Sequence, residues 1–180
     1  MSFLKLLGIT REPERDEDVE TIRRISAAID DLPNELARYV AAFAYVLGRV
    51  AYADRDVAPE ETALMERFVR ERGGLPDAQA ALVVEIAKTQ AKLFGGTDNF
   101  VVTRELAGMV GRDEKLGILD TLFALASADQ SVSSVEEGEI RMIGDALGLD
   151  HADYVATRAR YRDQLAVLKR HVPENDGDPP

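Results

Sequence analysis

Two stretches of the chain, Asp54-Arg-Asp-Val-Ala-Pro-Glu-Glu61 and Asp129-Gln-Ser-Val-Ser-Ser-Val-Glu136, are one acidic loop written twice, 75 residues apart. Each follows an Ala-rich apolar run and opens with Ala-Asp. Each then carries an oxygen side chain two residues on and a Val at the third step, and ends in Glu seven residues after the first Asp. The flanks keep register, so that Leu47, Val50 and Ala51 fall on Leu122, Leu125 and Ala126. A repeat of helix, loop and helix restricts the chain to a fold assembled from two related halves. It also directs the search for function to the repeated loops.

What surrounds the loops is helical. Apolar residues recur at helical spacing almost throughout, and alternating strand patterns are nearly absent. The spacing predicts helices near 19–31, 34–53, 59–72, 76–94, 98–110, 113–127, 133–147 and 150–171. Pro33, Pro59 and Pro76 suit first helical turns, where a missing N–H costs nothing. Ser134-Val-Glu-Glu137 has capping-box spacing, and Asp150 can cap the last helix. Gly73-Gly74, Gly95-Gly96 and Gly148 stop the helices before them. The second helix shows a seam of Leu36, Tyr39/Val40, Phe43, Val46/Leu47 and Val50, and its counterpart reads Leu116, Leu119, Leu122/Phe123 and Ala126. These two helices are the most continuously apolar and belong at the centre. The expected architecture is an all-α, single-domain bundle of seven to eight helices with an internal pseudo-two-fold repeat, its halves roughly 34–94 and 104–171. Residues 1–18 form an apolar segment (Phe3, Leu4, Leu6, Leu7, Ile9) and a charged linker. The helical domain spans 19–172, and 173–180 is an acidic, disordered tail.

Composition narrows the function classes. At 180 residues and 46% hydrophobic content the chain can bury a sizeable core as one domain. It has no Cys, which excludes disulfides, thiol nucleophiles and zinc-thiolate sites and fits a reducing compartment. A net charge of −11 argues against nucleic acid and for cations or basic partners. No secretory signal is expected, and no uncharged stretch reaches the ~20 residues needed to span a bilayer.

The loops themselves carry the chemistry. Asp54 sits at the C-terminal end of a long helix, where the macrodipole disfavours an anion by ~0.3–1 kcal/mol. Asp56, Glu60 and Glu61 follow closely, so the carboxylates repel one another unless something positive joins them. A hard cation taking oxygen ligands from short loops would do so. The second copy offers Asp129, Ser131, Glu136 and Glu137, with Ser133 as a neutral oxygen. The alternative is structural: Asp56, Ser133 and Ser134 are ordinary N-caps, and acids suit a first helical turn. Capping alone does not fix the Asp-to-Glu spacing. The loop is not an EF-hand, being eight residues rather than twelve and lacking the Gly at the sixth position.

Ala-Asp-x-x-Val-x-x-x-Glu at the end of an apolar helix, present twice in a helical chain, resembles the tellurite-resistance TerB family, to which the N-terminal domain of membrane-tethered DnaJ-like co-chaperones is related. The resemblance covers roughly Leu36 to Leu168, and the opening Met-Ser-Phe-Leu-Lys-Leu-Leu-Gly also looks like a family start. It implies a non-enzymatic cytoplasmic domain acting in a stress-response complex, with protein partners at the inner face of the membrane. The divalent cation it implies, Ca²⁺, Mg²⁺ or Zn²⁺, would be held by Asp54, Asp56, Glu61, Asp129, Ser131 and Glu136. Two departures stand out. Where the family commonly has Gly after the first Asp, this chain has Arg55 and Gln130, and Arg55 can itself supply positive charge. Ser131 replaces a common acid, so the second loop should hold a cation more weakly.

Other chemistries find no support. Glu-x-x-His for a di-iron bundle, Gly-x-Ser-x-Gly, a Walker loop, Gly-x-Gly-x-x-Gly and the His-Pro-Asp of a J-domain are all absent. His151 and His171, at helix ends, read as structural. Arg158, Arg160, Arg162, Lys169 and Arg170 read as a solvated face lying against acidic neighbours. Met65, Met109 and Met142 fit core positions, and Tyr154 and Tyr161 read as packing residues. The 1–10 segment reads as docking onto protein, its own or a partner's, rather than onto lipid. The resulting expectation is a metal-responsive scaffold. The rival is a metal-free protein-interaction module whose acidic face reads a basic partner.

Overall fold

A computed structural model describes residues 32–55, 57–94 and 99–169. These hold eight α-helices: α1 (Asn34–Ala51), α2 (Pro59–Gly73), α3 (Asp77–Phe94), α4 (Asn99–Met109), α5 (Arg112–Ala126), α6 (Ser134–Leu147), α7 (His151–Ala159) and α8 (Ala166–Lys169). A 3-10 turn (Arg162–Gln164) precedes α8. The described residues contain no strand, only an isolated parallel bridge between Val132 and Leu165. The expected helix 19–31, Gly95-Gly96, His171 and the two terminal segments lie outside the described residues.

Beyond its first turns α1 is apolar all round except for Arg49, and a helix of that kind belongs inside. Every residue from Val40 to Ala51 is buried, and α1 packs against α2, α3, α4, α5 and α6. Gly48 lets α1 approach α3 closely, because a Cβ there would lie 3.1 Å from the carbonyl oxygen of Ala87. α5 forms the second centre, with Ile118, Leu119, Leu122, Phe123, Leu125 and Ala126 buried. Phe43, Leu47, Met65, Leu122 and Phe123 are each fully enclosed, and burial of such a side chain contributes ~1.5–3 kcal/mol. The ring of Phe123 also stacks on Tyr161, at 5.4 Å between centroids, and meets Tyr154 at 5.8 Å, so both tyrosines are packing residues as expected.

Helix ends follow local chemistry. Pro59 is the first residue of α2, whereas Pro33 occupies the N-cap of α1 and Pro76 immediately precedes α3. Gly74 and Gly148 adopt φ +64° and +78° and close α2 and α6, a conformation that costs glycine little. Asp150 caps α7 as expected, its side chain accepting from Asp153 N–H. The capping box of α6 lies one residue earlier than the sequence suggested, at Ser133 and Glu136 rather than Ser134 and Glu137.

Two further expectations are corrected. The region predicted as one helix over 150–171 is broken after Ala159. Tyr161 turns its hydroxyl to the carbonyl and carboxylate of Asp120, and Gln164 and Ala166 give their backbone to Val132. These tertiary bonds outcompete a helical pattern that the sequence continues without interruption. Met142 is exposed rather than core.

Candidate functional site

Where both are described, the two loops turn alike at the ends of α1 and α5. At the first, Ala53 N–H donates to Val50 and Arg55 N–H to Tyr52; at the second, Ala128 donates to Leu125 and Gln130 to Ser127. Arg55 then turns at φ 72° and Gln130 at φ 70°. Ala58 and Ser133 start the next helices in extended geometry, with φ −66° and −68°. The left-handed residue explains why glycine suits this place, since a side chain there costs roughly 1–2 kcal/mol. The equivalence is one of the junctions; further on the chain diverges, with the unbroken α3 on one side and α7, the 3-10 turn and α8 on the other.

Each junction buries its glutamate. Glu61 is 6% exposed and Glu136 5%, while Asp54 and Asp129 lie exposed at the rim. Burial of an acid requires a donor. Glu61 Oε2 accepts from Ala58 N–H at 2.8 Å, and Glu136 Oε2 accepts from Ser133 N–H at 2.8 Å. Ser133 Oγ completes a reciprocal box by accepting from Glu136 N–H at 3.2 Å. Ala58 has no oxygen to offer, so the first box is half-made. Among the described residues no hydrogen bond reaches Oε1 of either glutamate.

The two junctions also act on each other electrically. Burial pushes the Glu61 carboxyl up to about 7, and the charges of Glu136, Asp54 and Asp129 push the same way against the Ala58 hydrogen bond. Glu136 is likewise raised, first by burial and then by Asp54 and Asp129, against its bonds to Ser133. The fold therefore gathers Asp54, Glu61, Asp129 and Glu136, residues spread over 75 positions and more, into one electrostatic group. The dominant charges on Glu61 are all carboxylates. Arg55 is exposed and is not among the main influences on Glu61.

The remaining candidates divide. Asp56 lies outside the described residues. Ser131 is half-buried, and its N–H donates to Asp129 Oδ1 at 2.9 Å. Ser133 is used as a cap, and Glu137 turns away from the junction to Arg158 at 2.6 Å and to the Tyr154 hydroxyl at 3.3 Å. Arg160 pairs with Asp120 at 3.3 Å, so Arg158 and Arg160 lie against acidic neighbours as the sequence suggested; His151 is exposed at the start of α7. Among the described residues no three His, Cys, Asp or Glu side chains are spaced to hold a metal ion between them. The carboxylates act on one another, and the described ones form no preassembled cage.

One supporting pair escaped sequence reasoning. Arg49, 6% exposed, crosses from α1 to donate through Nε to Glu139 Oε1 at 2.7 Å and through Nη1 to Thr103 Oγ1 at 2.9 Å. Glu139 lies one turn beyond Glu136 on α6, and Arg49 lies five residues before Asp54 on α1. The pair thus fixes the start of α6 against the end of α1 and holds the two junctions in register. A lone Arg inside the apolar run Val46-Leu47-Gly48-Arg49-Val50-Ala51 is the signal that could have found it.

Among the described residues no helix is long and apolar enough to cross a membrane. Comparison with curated proteins and with solved structures finds no match. The family model described as "Tellurite resistance protein TerB" matches residues 40–159, a span that contains both junctions, Arg49 and Glu139. With two thirds of its length so matched, the chain belongs to the TerB family of tellurite resistance proteins.

Proposed function

We propose that this TerB protein is a non-enzymatic stress-response module of the cytoplasm, whose paired acidic junctions take up a divalent cation and whose bundle then serves as a scaffold for protein partners. The observation that carries the reading is the convergence of Glu61 and Glu136, each buried and each accepting one backbone N–H, with the charges of Asp54 and Asp129 acting on both. Like charges gathered in this way favour a state in which a positive charge joins them. The donor set is all oxygen and contains neither His nor Cys, which suits Ca²⁺ or Mg²⁺ better than Zn²⁺. Oε1 of each glutamate and the carboxylates of Asp54 and Asp129 would hold the ion. When bound, it would supply charge neutralisation and a cross-link between the end of one helix and the start of the next.

Because the acids are not preassembled, the rim aspartates must move inward, so binding should stiffen both junctions together. The test is thermal unfolding in chelator and in millimolar Ca²⁺ or Mg²⁺. The wild type should melt higher with metal, and Glu61→Gln and Glu136→Gln should each blunt the rise. Identical melting of the wild type in both buffers overturns the metal reading. The lack of a dominant cation near Glu61 supports a second reading as well, in which a basic side chain of a partner neutralises the group. That reading calls for salt-sensitive capture of a partner with no response to metal.

A further inference from the structure

A cavity of about 500 Å³ lies at the end of α1 opposite the junctions, a size that suits a small molecule. Its walls come from four helices: the start of α1, the last turn of α2, the end of α4 and the first turn of α5. Leu36, Met109 and Val110 make part of the wall apolar, and Tyr39 brings a hydroxyl to it. Arg72 and Glu114 bring opposite charges. Arg38 also borders the space but is paired to Glu105, and Glu35 is exposed.

Arg72 is built into this place. It is half-buried, and its guanidinium lies over the ring of Phe43 at 5.5 Å. That ring, fully enclosed, also stacks on Tyr39 at 5.9 Å. Gly117 on α5 makes the room, since a Cβ there would lie 3.3 Å from Arg72 Nη2. A glycine inside a helix costs stability, and here it admits a cation. Arg72 Nη1 and Nη2 reach the hydroxyls of Tyr39 and Thr121 at 3.5 Å each. Both bonds are at the outer limit of length and go to neutral groups, whereas a guanidinium carries five N–H donors. Its planar fork is thus oriented by weak bonds, and a carboxylate is the partner that such a fork fits best. Glu114 acts at the same hydroxyl. Burial raises the titration of Tyr39, Arg72 works against that rise, and Glu114 adds to it. One hydroxyl on the cavity wall therefore stands within reach of both a cation and an anion.

We propose that this cavity binds a small zwitterion, an α-amino acid with an apolar side chain. The carboxylate takes the fork of Arg72, and the ammonium group faces Glu114. The Tyr39 hydroxyl can donate to the one or accept from the other. Leu36, Met109 and Val110 receive the side chain. Opposite charges on one wall also work by exclusion: a plain anion is repelled by Glu114, and a plain cation by Arg72.

Amide NMR titration of the full chain, in chelator so that the junctions stay metal-free, tests this with three probes. They are leucine, isocaproate (which lacks the ammonium group) and isoamylamine (which lacks the carboxylate). Leucine should shift the Gly108 and Val110 N–H signals and bind about tenfold or more tighter than either analogue. Arg72→Gln should abolish that binding. Glu114→Gln, at an exposed position, should bring leucine down to the level of isocaproate, and it decides the matter if Arg72→Gln does not fold. No leucine-dependent shift at Gly108 and Val110, equal binding of the three probes, or leucine binding untouched by Glu114→Gln overturns the proposal.

Discussion

Replacing a buried glutamate by its amide usually weakens a fold, but here Glu61→Gln should strengthen it above neutral pH. The Glu61 carboxyl titrates near 7 in the fold against 4.5 for an ordinary glutamate. Below about pH 4.5 folded and unfolded chains both hold this proton and stability is unaffected. As pH rises from there to about 7, the unfolded chain ionises freely while the fold retains its proton, so stability falls; above about 7 the loss is complete. At about 1.4 kcal/mol per pH unit the ceiling is about 3.5 kcal/mol. Water at the open rim screens the neighbouring aspartates, which leaves ~1–2 kcal/mol. Gln removes the charge yet can still accept from Ala58 N–H, so the helix start survives. In chelator at about pH 8.5 the variant should melt ~3–6 °C above wild type. Near pH 5 the difference should shrink to within ~1 °C. A variant that melts at or below wild type at the higher pH would show that the carboxylate is not destabilised by its surroundings, and the electrostatic account of the junctions would fail.

Further outcomes follow from the geometry. Arg49→Met strands Glu139 without its buried partner and should cost ~3–5 kcal/mol in denaturant unfolding. Adding Glu139→Leu should recover much of that loss, and strict additivity in the double variant would refute the pairing. Arg55→Gly and Gln130→Gly relieve left-handed side chains and should each stabilise by about 1 kcal/mol, checked by denaturant midpoint. A loss at both positions would contradict the loop conformation.

The sequence was most legible where a local rule decides the outcome. Pro59, Gly74, Gly148 and Asp150 each marked a helix end because φ preference or a side-chain acceptor acts within a few residues. The repeat pointed to the two junctions, and the resemblance named Asp54, Glu61, Asp129 and Glu136 as candidates, but nothing in the spacing said that the two loops act on each other. Burial of the glutamates was less legible, since Glu in a first helical turn reads as exposed until the fold places the second loop beside the first. The break after Ala159 was hidden because Tyr161–Asp120 and Val132–Leu165 are contacts between distant residues, and periodicity carries no trace of them. The box at Ser133 was missed by one residue because Ser133 and Ser134 are equally good caps, and the turn beginning at Gln130 chooses between them.

The position of α1 has a consequence for how the protein is made. α1 comes first among the described helices, yet it leans on α4, α5 and α6 for much of its covering. A nascent chain that has emerged only as far as Phe94 therefore exposes apolar flanks of its own central helix, and they stay wet until the stretch up to Leu147 is synthesised. The order of synthesis therefore leaves the centre of the bundle for last, since its covering is complete only when α6 has joined.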